Sequence, residues 1–258
     1  EHYEALFCAA RPDYSPDDSG AVLARARTRD FVDWELLPPL DGPTGLFYHN
    51  EVPEYFEMGG RHYVLFSTGS CYGLRTDTRA RRETVGTYYM VADRFEGPYR
   101  LPDDPVLVGA GMGRMTAYVG RVIEHGGERL LYHHVRHTTD AWDGTWGAPK
   151  RIVADADGEL HLGYWPGLAG IESGPVTEGF THLQPADDLP AGWRREGGAL
   201  VGSSRAMGGS CTVADDVPDG HVECRITSHD AARCGVVLRA TEEWGVAVDL
   251  DFRRGAVE

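Results

Sequence analysis

Residues 56–66 read Phe-Glu-Met-Gly-Gly-Arg-His-Tyr-Val-Leu-Phe, and residues 122–132 read Val-Ile-Glu-His-Gly-Gly-Glu-Arg-Leu-Leu-Tyr. Each stretch is a run with apolar positions, a Gly pair, and a second run rich in aromatic or branched residues. That order is typical of a β-hairpin. Gly59 and Gly126 lie 67 positions apart, so we interpret the hairpin as a unit that recurs with a long period.

A second pair of segments shares nearly the same period. Residues 29–34 read Arg-Asp-Phe-Val-Asp-Trp and match residues 94–99, Arg-Phe-Glu-Gly-Pro-Tyr, at a spacing of 65 between the final aromatics. The opening residues 1–7 echo residues 61–66 as a third, partial copy. Antiparallel units repeated around an axis form the blades of a β-propeller, an arrangement that protects strand edges. A chance similarity between hairpins of a β-sandwich is the alternative.

The rest of the chain supports an all-β fold, because no stretch keeps a helical period over three turns. Gly, Pro and Asp separate short runs of strand-forming residues. The predicted strands are 3–9, 21–26, 62–67, 87–92, 118–123, 129–135, 150–154 and 159–162, then 199–202, 220–227, 234–240 and 245–252. The repeat period exceeds the roughly 40 to 50 residues of common propeller units. We therefore expect long loops at one rim, where a propeller builds its site.

The composition changes along the chain, which divides it into three parts. Residues 1–170 are predicted to form a partial β-propeller of about two and a half units, fewer than the roughly four that the smallest propellers close with. Residues 171–192 are rich in Gly and Pro without a strand period and are predicted to be a linker. Residues 193–258 are predicted to form a partial β-sandwich domain. The chain begins with Glu1 in what reads as a strand, so we expect natural sequence upstream of it.

Charge and cysteine content exclude several classes of protein. The chain has 258 residues, with 40 acidic against 25 basic side chains, a formal charge of −15 and no basic cluster. We therefore expect no nucleic-acid partner and no membrane partner. The five cysteines are an odd number without a Cys-x-x-Cys pair, which indicates neither a disulfide framework nor a thiolate zinc site. We expect them to be small buried apolar residues.

Residues 48–56, Tyr-His-Asn-Glu-Val-Pro-Glu-Tyr-Phe, are the most informative for chemistry. Glu51 precedes Pro53, which fixes its own φ and holds Val52 extended, so the carboxylate is expected to leave the chain at a rigid strand entry. Rigidity suits a catalytic carboxyl. His49 and Asn50 would supply polar partners, and nearby aromatics a partly desolvated wall that keeps the carboxyl protonated as a general acid. The alternative is a surface Glu at a strand start.

The same stretch carries a resemblance to a known family. Residues 51–60, Glu-Val-Pro-Glu-Tyr-Phe-Glu-Met-Gly-Gly, resemble the Glu-Cys-Pro-Asp/Glu blade motif of glycoside hydrolase family 32, which includes invertases, levanases and inulinases. Weaker matches follow in order over most of the first 165 residues. The resemblance implies a five-bladed β-propeller followed by a C-terminal β-sandwich. It also implies retaining hydrolysis of β-fructofuranosides, with Glu51 as the general acid/base.

The chain departs from the family pattern in two respects. Val52 stands where the family usually has Cys. The family's attacking Asp and its Arg-Asp-Pro motif belong upstream of Glu1, so this chain alone is expected to have negligible hydrolytic activity. Arg11-Pro12-Asp13 has the composition of that motif in another order and lies beyond the expected strand, so it does not replace the motif.

Four other positions or segments contain candidate functional residues. Tyr118 falls where the family places an aromatic loop near the fructosyl pocket, although a core Tyr is as good an interpretation. Arg121 could bond sugar hydroxyls, but a solvated strand charge is the better interpretation. Residues 133–137, His-His-Val-Arg-His, suggest zinc ligands, yet adjacent strand residues point to opposite faces. Residues 155–159, Asp-Ala-Asp-Gly-Glu, resemble a calcium loop but are first a hairpin turn.

The sequence therefore predicts a glycosidase that acts on a small carbohydrate, with Glu51 catalytic, with His49, Asn50 and Tyr118 in substrate binding, and with no metal and no cofactor. Two alternatives stay open. One is a related five-bladed furanosidase that acts on arabinosides, and the other is a carbohydrate-binding propeller without catalysis.

Overall fold

The computed structural model describes residues 2–13, 20–47, 49–68, 85–110, 117–135, 145–170, 192–196, 199–202, 224–238, 246–252 and 256–257. Within these ranges the regular secondary structure is β-strand, apart from one short 3₁₀ helix at Pro166–Gly170. The strands are β1 Tyr3–Ala10, β2 Ala21–Thr28, β3 Glu35–Leu37, β4 Glu51–Met58, β5 Arg61–Thr68, β6 Val85–Ala92, β7 Val106–Ala110, β8 Ala117–His125, β9 Glu128–Val135, β10 Thr145–Trp146, β11 Lys150–Ala154, β12 Leu160–Tyr164, β13 Trp193–Glu196, β14 Ala199–Gly202, β15 Arg233–Leu238, β16 Val246–Asp251 and β17 Ala256–Val257. In the described part of the chain, no helix is long and apolar enough to cross a membrane.

The contacts divide the chain into two compact units, Glu1–Pro166 and Gly167–Glu258. The first unit contains three antiparallel sheets in which consecutive strands are neighbours. Their orders are β1-β2-β3, then β4-β5-β6-β7, then β8-β9 continuing through β10 and β11 to β12. Strand β10 pairs with the end of β9, and β11 pairs with β9 nearer its start. The two short strands therefore share one position in the third sheet, beside β9.

The two predicted hairpins are the first strand pairs of the second and third sheets. In β4-β5, Met58 pairs with Arg61 across Gly59 and Gly60, and in β8-β9, His125 pairs with Glu128 across the equivalent glycines. All four glycines have positive φ, between 60° and 81°. That is the conformation of a two-residue hairpin turn that follows the twist of its strands.

Two apolar clusters lie between successive sheets of this unit. The first joins Leu23 of β2 to Val64, Phe66 and Tyr88 of the second sheet. The second is composed of residues on the opposite face of the second sheet and of residues from the third: Phe56, Tyr63, Leu65, Tyr89, Val91, Leu107, Leu131, Ile152 and Leu160. Alternation along β5 and β6 therefore supplies apolar side chains to both faces, as expected for a sheet covered on both sides. Face-to-face stacking of antiparallel sheets in chain order is the arrangement of propeller blades.

The second unit is described by itself and only in part. Strands β13 and β14 form a hairpin, and β15, β16 and β17 form a three-stranded antiparallel sheet. The predicted strand over residues 220–227 is wrong for its described part, since residues 224–227 belong to none of the strands that the structure describes. The predicted linker lies outside the described residues except for Gly192, and the β-sandwich arrangement stays a prediction.

One further expectation is corrected. Cys8 and Cys224 are exposed and Cys234 is half-buried, so the expectation of buried cysteines is wrong for the cysteines that the structure describes. Cys8 is exposed although Leu6, two residues before it and on the same face of β1, packs against the first apolar cluster. Strand β7 was not predicted because its run is short and contains Gly109, which weakens the strand pattern.

Candidate functional site

Glu51 is the first residue of β4 and lies half-buried beside an irregularity in the strand. The pairing of β4 with β5 shifts register between Glu51 and Glu54, which is a β-bulge. Within the bulge Val52 has φ 45°, a left-handed conformation that a β-branched residue adopts only under strain, whereas the sequence predicted an extended Val52. Bulges are frequent beside active sites because they redirect a side chain at a strand end.

The same bulge occurs in the next sheet. Strand β8 shifts register against β9 between Tyr118 and Arg121, and Val119 inside that bulge has φ 54°. Val52 and Val119 are separated by the repeat spacing of the two Gly pairs. The repeated unit therefore contains a strained strand entry as well as a hairpin, and it places Glu51 and Tyr118 at equivalent positions of neighbouring sheets.

The two equivalent side chains meet. Tyr118 is 3% exposed, and its phenol donates a short hydrogen bond to Oε2 of Glu51. Burial first, and then the bond to Glu51, raise the pKa of Tyr118 well above its usual value. The phenol consequently stays protonated at any ordinary pH and remains a donor to the carboxylate. A buried donor of this kind fixes where the carboxyl oxygen points.

Backbone and side-chain bonds fasten the two bulged strands together. The Arg121 guanidinium donates to the carbonyl oxygen of Val52 at 3.0 Å, and the Val122 amide donates to Oε2 of Glu54 at 3.0 Å. Arg121 and Glu54 also form an ion pair at 3.7 Å. Arg121 is thus occupied in holding the Glu51 bulge, which explains its position without a sugar contact.

Glu54 was not singled out by the sequence, yet it is half-buried and bonded to the neighbouring sheet. Burial raises the pKa of Glu54, while the hydrogen bond from Val122 and the charge of Arg121 oppose the shift. Because the Glu54 carboxylate contacts both the Val122 amide and Arg121, it links the second sheet to the third and has a structural role. Glu54 also lies three residues from Glu51, so a substitution of Glu54 is a suitable control for a substitution of Glu51.

Asn50 and His49 lie directly before Glu51. Asn50 is 2% exposed, and its Oδ1 has no hydrogen-bond partner among the residues that the structure describes. His49 is half-buried and makes a contact of its own. The expected aromatic wall is not one surface, because Phe47 and Phe56 are buried in the two different apolar clusters. Substrate binding by His49, Asn50 and Tyr118 stays a prediction.

His133 and His134 follow one another on β9 and have different surroundings. Nε2 of His133 accepts a bond from Nζ of Lys150 at 2.9 Å, and its Nδ1 lies 3.1 Å from the carbonyl oxygen of His134, so Nδ1 carries the proton. The ring of His134 lies 5.5 Å from that of Tyr118. Burial, and then the charge of Lys150, lower the pKa of His133. Among the described residues, no cluster of His, Cys, Asp and Glu could hold a metal ion.

Residues 155–159 form the turn between β11 and β12. Oδ1 of Asp155 accepts bonds from the amides of Asp157 and Glu159, at 2.9 and 2.8 Å. The turn packs on the second sheet, where the Tyr63 phenol donates to the carbonyl oxygen of Gly158 at 3.1 Å. The interpretation as a hairpin turn is thus confirmed, and Asp155 is used in closing it.

The fold is similar to those of several solved structures. The inulosucrase of Halalkalicoccus jeotgali, solved with kestose bound, has a TM-score of 0.50 and 21% identity over 62% of this chain and 46% of that one. The Bombyx mori β-fructofuranosidase BmSUC1 has a TM-score of 0.47 and 17% identity over 69% and 38%. A mutant of the B. megaterium levansucrase has a TM-score of 0.44 and 12% identity over 55% and 33%. No protein-family model and no curated protein matches the sequence.

The match to the inulosucrase shows the fold. Together with the three stacked antiparallel sheets, it confirms the prediction of an all-β, propeller-type architecture. The chain spans less than half the length of each of the three structures. The number of blades in the complete propeller stays a prediction.

Proposed function

We propose that this chain supplies the proton-donating half of a glycosidase site for β-fructofuranosides, with Glu51 as general acid/base. The observation that carries the proposal is the bond between Tyr118 and Glu51, which joins equivalent bulged strand entries of neighbouring blades. A carboxyl held at a strained strand end by a phenol from the next blade has the fixed position that proton transfer requires.

The proposed chemistry uses two carboxyl groups. A retaining glycosidase places them about 5 to 5.5 Å apart, so that one attacks the anomeric carbon while the other protonates the leaving oxygen. Glu51 would give its proton to that oxygen and then, as a carboxylate, take a proton from the water that releases the sugar. The attacking carboxylate is the group that the family resemblance assigns to sequence upstream of Glu1.

Two neighbours of Glu51 have defined parts in the proposal. Tyr118 is a positioning residue, since at 3% exposure it has little surface to offer a sugar and its hydroxyl is bonded to Glu51. Asn50 contributes a buried amide oxygen, with which a sugar hydroxyl could pair if the local chain opens on binding. The choice of a fructosyl substrate rests on the motif of residues 51–60 and on the kestose bound to the inulosucrase of similar fold.

The test compares Glu51→Gln with Glu54→Gln in the natural full-length protein, with sucrose, levan and inulin as substrates. Removing an acid/base catalyst costs about 10² to 10⁴ in rate, so Glu51→Gln should release fructose at least a hundredfold more slowly while still binding sugar. Glu54→Gln should keep most of the activity, because an amide can still accept the bond from Val122. Unchanged turnover in Glu51→Gln would refute the assignment.

A further inference from the structure

Two buried hydroxyl groups lie side by side in the second sheet. Ser67 of β5 is 1% exposed and Thr87 of β6 is 0% exposed, and their hydroxyl oxygens are 3.1 Å apart. Strand pairing places Ser67 opposite Glu51 of β4 on one side and opposite Thr87 on the other. The three residues therefore form one row across the sheet, which begins at the candidate carboxyl and ends at Thr87.

Thr87 also contacts the bulge of the third sheet. Gly120 lies inside the bulge of β8, and its buried amide donates to Oγ1 of Thr87 at 2.7 Å. A Cβ at Gly120 would lie 2.9 Å from both Oγ1 and Cγ2 of Thr87, so the absence of a side chain there allows the close approach. A buried hydrogen bond to the second sheet thus fixes the bulge that presents Tyr118.

The bulge of the second sheet is bonded in the opposite direction. Arg121 ends the β8 bulge, and its guanidinium donates at 3.0 Å to the carbonyl oxygen of Val52 inside the β4 bulge. Each bulge is therefore held by a residue of the other sheet. Thr87 holds the bulge that presents Tyr118, and Arg121 holds the bulge at Glu51. We call these two hydrogen bonds, from Gly120 to Thr87 and from Arg121 to Val52, the reciprocal bonds.

Strain in both bulges indicates why the reciprocal bonds matter. Val52 and Val119 have φ of 45° and 54°, which β-branched residues keep only where the surrounding contacts fix them. Without such contacts the backbone would relax toward an extended conformation and move the adjacent side chains of Glu51 and Tyr118. A displacement of about 1 Å at a reacting group can lower a rate about a hundredfold. The reciprocal bonds are therefore placed to determine how Tyr118 meets Glu51.

We propose that Thr87 and Arg121 are positioning residues, which fix the contact between Tyr118 and Glu51 by holding the two bulges from opposite sheets. Each acts through a backbone atom of the facing strand. For turnover, the inference rests on the proposed role of Glu51. For the geometry of the bond between Tyr118 and Glu51, it does not.

The first measurement is the proton resonance of the Tyr118 hydroxyl in the natural full-length protein, assigned by its loss in Tyr118→Phe. Because this phenol is buried and bonded to a carboxylate, its proton should exchange slowly with water and give a resolved downfield signal. Thr87→Val removes the acceptor of the Gly120 amide at nearly constant shape, so the signal should shift or disappear. Thr87→Ser keeps the hydroxyl and should keep the signal.

The second measurement is steady-state fructose release from sucrose by the same variants. Thr87→Val and, independently, Arg121→Met should lower kcat about tenfold or more and leave KM within about twofold, because they disturb the position of the proton donor. Thr87→Ser should keep most of the parental kcat. If Thr87→Val does not fold, Arg121→Met supplies both measurements.

Tyr63→Phe is the matched control. Tyr63 lies four residues before Ser67 on β5, and its phenol donates a buried hydrogen bond to the carbonyl oxygen of Gly158 at 3.1 Å, between the same two sheets. Tyr63→Phe should lower the melting temperature about as much as Thr87→Val does. It should nevertheless keep the parental kcat and the phenol signal.

Three results would overturn the proposal. The first is a phenol signal that is missing from the parent or unchanged in Thr87→Val and Arg121→Met. The second is parental kcat in both variants while Glu51→Gln is slow. The third is an equal loss of kcat in Tyr63→Phe, which would make the effect one of stability alone. If Glu51→Gln itself keeps parental turnover, the catalytic assignment fails, and the phenol signal alone decides the role of the reciprocal bonds.

Discussion

Tyr118 donates a hydrogen bond to the carboxylate of Glu51, and the two residues are 67 positions apart, the spacing that also separates the Gly pairs of the two hairpins. The contact is therefore made between equivalent positions of neighbouring blades. Repetition alone would place similar side chains at the two positions. Here one unit has an acid and the next has its hydrogen-bond donor, so the repeated strand entry supplies the two partners of this bond.

The phenol of Tyr118 should matter for turnover. A hydrogen bond to a charged group contributes about 1.5 to 3 kcal/mol, so Tyr118→Phe should lower kcat roughly tenfold or more. KM should change little if Tyr118 acts through Glu51. The measurement is steady-state fructose release by the natural full-length protein, with Tyr164→Phe at an exposed strand end as the control. A raised KM at unchanged kcat would instead favour direct sugar binding by Tyr118.

The strained backbone at Val52 should lower the free energy of unfolding. A β-branched residue at φ 45° costs of order 1 to 3 kcal/mol, and Asn tolerates this conformation better. Val52→Asn should therefore raise the free energy of unfolding by up to about 1 kcal/mol, measured by urea denaturation of the chain. Val236→Asn, inside a regular strand pair, is the contrasting control and should destabilise. A loss of stability in Val52→Asn would show that the side chain of Val52 outweighs the strain.

Gly147 should be intolerant of a side chain. A Cβ there would lie 2.5 Å from Nε2 of His133, whose ring is held between Lys150 and the carbonyl oxygen of His134. Gly147→Ala should therefore lower the free energy of unfolding by about 1 to 3 kcal/mol. Gly163→Ala is the matched control, because its Cβ would meet only ordinary contacts at 3.9 Å. Equal stabilities of the two variants would contradict the packing described around His133.

The pair formed by Lys150 and His133 should make stability depend on pH. Burial, with the charge of Lys150, lowers the pKa of His133 below its usual 6.5. The unfolded chain then binds the proton more readily, so the stability contributed by neutral His133 is present above about pH 6.5 and lost as the pH falls through the lower folded pKa. Lys150→Met should show a smaller loss of stability between pH 7.5 and 5.5 than the parent. If the stabilities of Lys150→Met and the parent changed equally with pH, the Lys150–His133 pair would not contribute to the pH dependence of stability.

The sequence predicted the hairpins and the all-β class because alternating side chains and Gly pairs act locally. It did not predict the bulges, since the strain at Val52 and Val119 is balanced by bonds that Arg121 donates and Glu54 accepts between strands distant in sequence. The sequence identified Glu51 and Tyr118 as separate candidates and did not predict the contact between them. The repeat spacing already relates the two, and applying it to Glu51 would have identified its partner. Exposure of Cys8 depends on neighbouring strands and could not be predicted from its residue type.

The central claim is that Glu51 donates the proton, and the direct test is azide rescue in the natural full-length protein. With p-nitrophenyl β-D-fructofuranoside, whose leaving group needs no proton, Glu51→Gln should still form the fructosyl-enzyme and then stall, because no base activates water. Added azide should restore turnover and give β-fructofuranosyl azide with retained configuration, while Glu54→Gln gives fructose and no azide product. If Glu51→Gln gives no fructosyl azide, or hydrolyses sucrose at the parental rate, Glu51 is not the acid/base.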